Sequence, residues 1–478
     1  MEYSDLCTED FLQQLGEVIK KFDYYQHPIG NLSHNEWEEL VTAGIYHPLF
    51  KKRIGGRESH EEVCRIMRLA GYHHLSLGFF LMTPLTIFCR TVTNFGSLDL
   101  QERIFTDLIN NNKLAGFAVI DPDAPSGATT MQTWWEQAAG GYHITGRKHW
   151  QSGSRMSEWW LIVAKDKEKG PAATTVDYFL YESTGGFQTT KTYHPLGLHL
   201  PDYGLNELDI FVPDSQRLEI PSATFTELLG LISGGWSQWA SMAAGFLKRI
   251  YEEADKFVTA RKTRTATLKD LGYVRFKLGM IAASKTIADI MYDYVLTQTN
   301  LFQQFPKDLF VLQAIKTTAA DYMFTSANHY LELCGADGYR FNATNNFAAQ
   351  ALTDARGFSI LGGANDVLYQ LLTQYCLQDE STKGKTDFLE VMQVFPHTRD
   401  ASRYLKQVGT LFQQIPEDNL AQVFYGKILS RLFIIQLLES GVESLVTESF
   451  EAAHAYCLAD LNDLLQHYAL SHKIAIRR

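Results

Sequence analysis

The residues best suited to chemistry lie between Gly116 and Trp160, centred on Gly146-Arg147-Lys148-His149-Trp150-Gln151-Ser152-Gly153-Ser154. Upstream, Phe117-Ala118-Val119-Ile120-Asp121-Pro122-Asp123-Ala124-Pro125-Ser126-Gly127 is an apolar run broken by proline and small residues, which reads as a strand ending in a loop. The hydroxyls of Ser126 and Ser152 and the indole of Trp150 make a ledge for a flat ring with polar edges. A hydroxyl or a backbone N–H donates to ring heteroatoms while the indole covers one face. The Arg147-Lys148-His149 cluster reads as a solvated loop rather than an anion site. Trp134-Trp135 and Trp159-Trp160 read as sheet packing.

The elements that must hold this ledge change character along the chain. Residues 1–115 are helical in pattern: Asp10 to Lys21, Asn35 to Ala43 and Glu61 to Leu69 space apolar residues at three and four, with Ser33 and Ser59 placed to cap. Over 116–225 the period becomes two, with strands expected at Tyr142 to Thr145, Trp159 to Ala164, Asp177 to Tyr181 and Leu205 to Val212. Over 226–380 long helices return at Ser237 to Thr259, Leu271 to Gln298 and Leu309 to Leu333, the pattern of an antiparallel bundle. Residues 381–478 add amphipathic stretches, Thr386 to Glu390, Asp400 to Gln413, Glu417 to Leu438 and Val442 to Tyr468, with Pro396 and Pro416 between them. The Ile434-Ile435-Gln436-Leu437-Leu438 cluster must be covered, by the chain's own core or by a partner or membrane surface.

Composition narrows the class. The 478 residues, 45% hydrophobic and 13% aromatic, suit a globular body of two or more packed units. A formal charge of −11 offers no basic field for nucleic acid or anionic lipid. Six scattered cysteines without metal-ligand spacing, and no signal-peptide pattern at Met1, point to a reduced, cytoplasmic protein. No apolar run is expected to reach the roughly 20 residues of a spanning helix.

The order of these motifs, continued by His194-Pro195-Leu196-Gly197-Leu198, resembles the middle domain of the acyl-CoA dehydrogenases, flavoproteins that hold FAD between helical domains. The resemblance implies an N-terminal helical domain, an antiparallel β-domain and a C-terminal four-helix bundle, here followed by additional helices. It places Trp150 and Ser152 against the flavin ring and Ser126 near the thioester and flavin. It matches Arg261 to an arginine that reaches the FAD pyrophosphate of a neighbouring subunit, a use suited to a planar fork of donors. Gly335 and Gly338, in Gly335-Ala336-Asp337-Gly338-Tyr339, match a glycine loop along the dinucleotide, and Asp354-Ala355-Arg356 with Ile360 matches a further family run. A homodimer or homotetramer follows from the Arg261 match.

This chain departs from the family at several positions. Ile120 replaces a threonine that hydrogen-bonds the flavin, and Arg264, Gly272 and Glu332 stand at other cofactor positions. Above all, the glutamate that removes the α-proton beside the thioester is Gly362, and a second family location for that base carries Trp239-Ala240. Asp366 is the replacement base named on sequence, with Glu332, His149 and His199 behind it. Against them stand ordinary roles: a helix-start acid for Asp366, a surface acid paired with solvent or Arg340 for Glu332, and structural hydrogen bonds for the histidines.

The expectation is therefore a flavin-dependent oxidoreductase acting on an acyl thioester, carried by CoA or a carrier protein, or on a related small molecule, without the usual glutamate. Relatives lacking that base include monooxygenases whose reduced flavin comes from a partner reductase. The cofactor expected is FAD, with FMN or reductase-supplied reduced flavin as alternatives. The competing reading is a catalytically silent scaffold that binds flavin or an acyl thioester.

Overall fold

Helices α1 (Thr8–Ile19), α2 (His34–Thr42) and α3 (His60–His73) form where the apolar spacing predicts them, and each buries one stripe. Their first N–H groups are satisfied by side chains. Ser33 accepts from the Glu36 N–H while the Glu36 carboxylate accepts from the Ser33 N–H, and Ser59 accepts from Glu62. The computed structural model describes residues 3, 6–27, 29–122, 130–170, 173–220, 225–441 and 448–474. It divides into one unit of residues 1–238 with 295–307 and a second of 239–294 with 308–478.

In the first unit, α4 (Leu75–Leu81), a π-helical stretch (Met82–Cys89) and α5 (Arg90–Phe95) follow one another with nearly every side chain buried. A helix buried all round has no stripe for the sequence to show. Helix α6 (Leu98–Asn110) leads into the sheet. Its strands are β1 (Leu114–Ala118), β2 (Trp134–Ala138), β3 (Gly141–Ser152), β4 (Ser157–Asp166), β5 (Asp177–Glu182), β6 (Phe187–Tyr193), β7 (Tyr203–Pro213) and β8 (Arg217–Leu218). They order as β6-β7-β3-β2-β4-β5-β8, with β1 beside β4. The sheet is antiparallel except where β1 and β2 run parallel to β4, a mixture that strand periodicity alone does not reveal. Ile144, Trp160, Ile162, Phe179 and Val212 centre its core. Trp160 stacks on Phe187 at 4.4 Å, and Trp159 donates to Asp107 at 2.6 Å, so this pair does pack the sheet.

The bundle uses α7 (Phe225–Ala260), α8 (Gly272–Gln298), α9 (Leu309–Cys334), α10 (Ala348–Phe358) and α11 (Asn365–Gln378). The added region continues with α12 (Phe388–Val394), α13 (Asn419–Ser440) and α14 (Glu448–Ile474). Asp418 caps α13 through the Ala421 N–H. The stretch expected to be an α-helix over 400–413 is instead a 3-10 helix, Ala401–Phe412, interrupted at Val408. Helix α13 packs on α9, α11 and α14, burying Ile428, Leu432, Ile434, Ile435 and Leu438, so the chain's own core covers its apolar cluster. It approaches α11 so closely that a Cβ on Gly426 would meet the Tyr369 carbonyl oxygen at 1.8 Å. Arg431, at the centre of α13, binds Asp321 on α9 and Asp460 on α14, both at 2.7 Å.

One expectation is corrected here. Leu75–Phe95 and Asn419–Ser440 do have the length and mean hydropathy of a spanning helix, because small polar residues interrupt these runs without lowering their mean much. The first is entirely buried and the second 61% buried, as core helices are.

Candidate functional site

Strand β3 pairs with β7 along its length, but the register slips between His149 and Gln151 and leaves Trp150 as the extra residue of a bulge. Trp150 takes φ +59°, a left-handed conformation that costs a non-glycine residue roughly 1–2 kcal/mol. The bulge turns its indole outward, 43% exposed, where Tyr193 lies 4.8 Å away and Tyr203 5.7 Å. Two residues on, Ser152 is buried, and its Oγ has no hydrogen-bond partner among the described residues. A buried hydroxyl without a partner and a half-exposed indole are both groups that a bound ligand can complete.

Lys148 overturns the solvated-loop reading. Its side chain is fully buried, with Nζ 2.7 Å from Asp121 Oδ1 and 3.0 Å from the Val119 carbonyl. Burial pulls its pKa down while Asp121 pushes it up. Asp121 also accepts from the Gln132 and Thr133 N–H groups, so this ion pair ties β3 to the segment leaving β1. Ile120 lies on that segment, its carbonyl accepting from the His149 N–H, and its side chain offers no donor. Ser126 lies outside the described residues. His199 is lowered in pKa by burial, and the Asn31 amide binds its carbonyl.

In the second unit, Arg261 follows the end of α7 with its side chain 52% exposed, at a long 3.4 Å from Asp337 and over the Phe257 ring at 5.7 Å. Gly335 takes φ +62°, and a Cβ on Gly338 would meet the Leu331 carbonyl at 2.7 Å, so the turn itself requires both glycines. Glu332 pairs with Lys277 rather than Arg340, and that pairing holds its carboxyl below the ordinary range; Arg340 lies instead toward Asp337, at 3.7 Å. Asp366, in the first turn of α11, is 74% exposed and 3.3 Å from Lys427, the setting of a solvated ion pair rather than of a buried base.

Gly362 and Gly363 are both left-handed, at φ +65° and +97°. A Cβ on Gly362 would lie 2.9 Å from Trp239 Cη2. The two residues that the resemblance matches to base positions thus meet in space, and the Trp239 indole occupies the room a side chain on Gly362 would need. Trp239 is fully buried and meets Phe358 edge to face at 5.3 Å. Beneath them, Lys316 on α9 donates to the Gly363 carbonyl at 2.7 Å and to Asn365 Oδ1 at 2.8 Å. Sequence reasoning missed Lys316, whose only signal was a lone charge in Ala314-Ile315-Lys316-Thr317-Thr318-Ala319-Ala320.

Comparison with known proteins agrees with this architecture. The family model for the acyl-CoA dehydrogenase middle domain matches residues 116–208, and that for the C-terminal domain matches residues 237–376. The chain belongs to the acyl-CoA dehydrogenase superfamily, whose members are flavin-dependent oxidoreductases. It is 24% identical over 291 residues to mitochondrial isobutyryl-CoA dehydrogenase of Bos taurus, covering 60% of this chain and 68% of that protein. It is 24% identical over 240 residues to L-prolyl-[peptidyl-carrier protein] dehydrogenase of a Serratia species, covering 48% of this chain and 61% of the relative. Among solved structures, PigA with FAD and proline superposes with a TM-score of 0.67 at 18% identity, over 78% of this chain and 98% of that one.

Proposed function

We propose that this protein is a flavin-dependent oxidoreductase that acts on an acyl thioester, on CoA or a carrier protein, without a glutamate as its proton acceptor. The observation that carries the flavin is Ser152: its buried, partnerless Oγ needs an acceptor or donor from outside the described chain, and Trp150 beside it offers an aromatic face. These residues fit a flavin edge, and FAD is the form proposed. Bound flavin supplies hydride acceptance; this chain's residues seat the ring and shape its surroundings. Arg261, exposed and loosely paired, suits the phosphates of a cofactor held by a neighbouring copy in a homodimer or homotetramer.

Gly362 against Trp239 argues that plain α,β-dehydrogenation is not the reaction, because neither position offers a carboxylate within hydrogen-bond reach of an α-proton. An acyl group whose proton is already acidic, as on an amino-acyl carrier-protein thioester, remains open to oxidation. A second reading, oxygenation by reduced flavin from a partner reductase, is favoured by the same apolar wall of Trp239 and Phe358, since such chemistry needs a dry pocket and no base.

The deciding experiment titrates the purified protein with FAD and with FMN, and then mixes the anaerobic complex with acyl-CoA and acyl-carrier-protein panels. Bleaching of oxidised flavin by a thioester supports the first reading. Flavin binding without bleaching, with product formed only from reduced flavin and oxygen, supports the second. A protein that binds neither flavin is a scaffold, and the proposal fails.

A further inference from the structure

Lys316 is a fully buried amine with no carboxylate in direct contact among the described residues. Chains seldom keep such a group unless something depends on its donors. An ammonium has three N–H donors, and three acceptors surround this one: the Gly363 carbonyl, Asn365 Oδ1 and the face of Trp239, whose ring centre is 5.6 Å away. The carbonyl and the indole belong to the doubly left-handed Gly362–Gly363 turn and the ring standing against it, and Asn365 opens α11 directly after that turn. Glycines in that conformation have the largest freedom to lose, so the turn needs an outside anchor to hold one shape. Asn365 is itself fixed from the other side, its amide donating to Asp321 Oδ1 at 3.0 Å and to the Thr317 carbonyl at 3.3 Å.

We propose that Lys316 is a positioning residue for this site: its amino group locks the Gly362–Gly363 turn and so sets where the Trp239 wall stands. Its part in turnover rests on the function proposed above; the lock itself does not. The charged groups on the packed elements are paired with one another rather than with Lys316. Asp321 on α9 is answered by Arg431 on α13 and bonded by Tyr369 on α11, while Asp366 on α11 pairs with Lys427 on α13. Burial brings the Lys316 amine down to about 7, with Asp321 opposing. Loss of its proton removes one donor and the charge over the indole, so the lock loosens as pH rises through neutrality.

The test compares wild type with Lys316→Met and Lys316→Arg, reading Trp239 as the difference in fluorescence between each protein and its Trp239→Phe counterpart. Wild type is expected to show a one-proton step centred at about pH 7. Lys316→Met should show the high-pH signal throughout and Lys316→Arg the low-pH signal throughout; should either fail to fold, the other decides. A step that persists in the folded variant, or no step in wild type, overturns the lock. On a substrate identified by bleaching, Lys316→Met should lower kcat by roughly tenfold to a hundredfold with little change in KM or in flavin affinity. A protein that binds no flavin yet shows the Lys316-dependent step retains the lock and loses the proposed function.

Discussion

Trp239 Cη2 lies 2.9 Å from the point that a Cβ on Gly362 would occupy, so indole and side chain exclude one another. Gly362→Glu therefore cannot restore a base on its own. The left-handed backbone costs the new residue about 1–2 kcal/mol and the overlap about 1–3 kcal/mol more. Adding Trp239→Ala opens room, and the double variant should be more stable than the sum of the singles by about 1–2 kcal/mol. Denaturant unfolding of the four proteins measures the coupling, and simple additivity would show that the two positions do not share space.

Ser152→Ala removes a hydroxyl that has no partner to lose, so the ligand-free protein should change by less than about 0.5 kcal/mol. Flavin affinity should fall about 2–13-fold, the weight of one hydrogen bond. Quenching of flavin fluorescence gives both dissociation constants. Equal values would remove Ser152 from the cofactor site.

Arg431→Met strands two carboxylates, Asp321 and Asp460, around a position whose side chain is only 4% exposed. A loss of about 3–5 kcal/mol is expected, seen as a lower midpoint in urea. Replacing Arg431, Asp321 and Asp460 together by apolar residues should recover most of it, because the cost lies in uncompensated charge. Equal losses in the single and triple variants would instead assign the effect to shape.

His74 gives the first unit a sensitivity to acid. It caps α4, its ring stacks on Tyr24 at 4.2 Å, and burial lowers its pKa from 6.5 to about 3. Between those values the unfolded chain binds a proton that the folded chain refuses, so stability falls as pH drops below 6.5, by at most about 1.4 kcal/mol per pH unit. His74→Asn keeps a capping side chain without the titration. Its unfolding free energy should vary less than that of wild type between pH 6.5 and 4, and parallel curves would exclude His74 as the source.

Much of the scaffold could be read from residue order, because α1 to α3 bury one face each, the bundle helices are long, and Ser33, Ser59 and Asp418 mark the starts of α2, α3 and α13. The rod from Leu75 to Phe95 escaped because it is buried all round. The strands β3, β4, β5 and β7 showed their alternation, yet nothing local announced that β1 and β2 run parallel to β4. For the candidate site, residue types and order pointed to Trp150 and Ser152, and the family resemblance pointed to Gly362. It did not find that Lys148 is buried, since its neighbours Arg147 and His149 suggested water, nor that Glu332 answers Lys277 from another helix. Contacts between residues far apart in the chain, Trp239 with Gly362 above all, leave no mark on local pattern.

The placement of α13 has a consequence for how the protein is made. Its apolar residues complete the packing of α9 and α11, which leave the ribosome well before it does. Those two helices therefore keep apolar surface uncovered during synthesis until Asn419–Ser440 has emerged, so a chain truncated before Asn419 is expected to be the less soluble form.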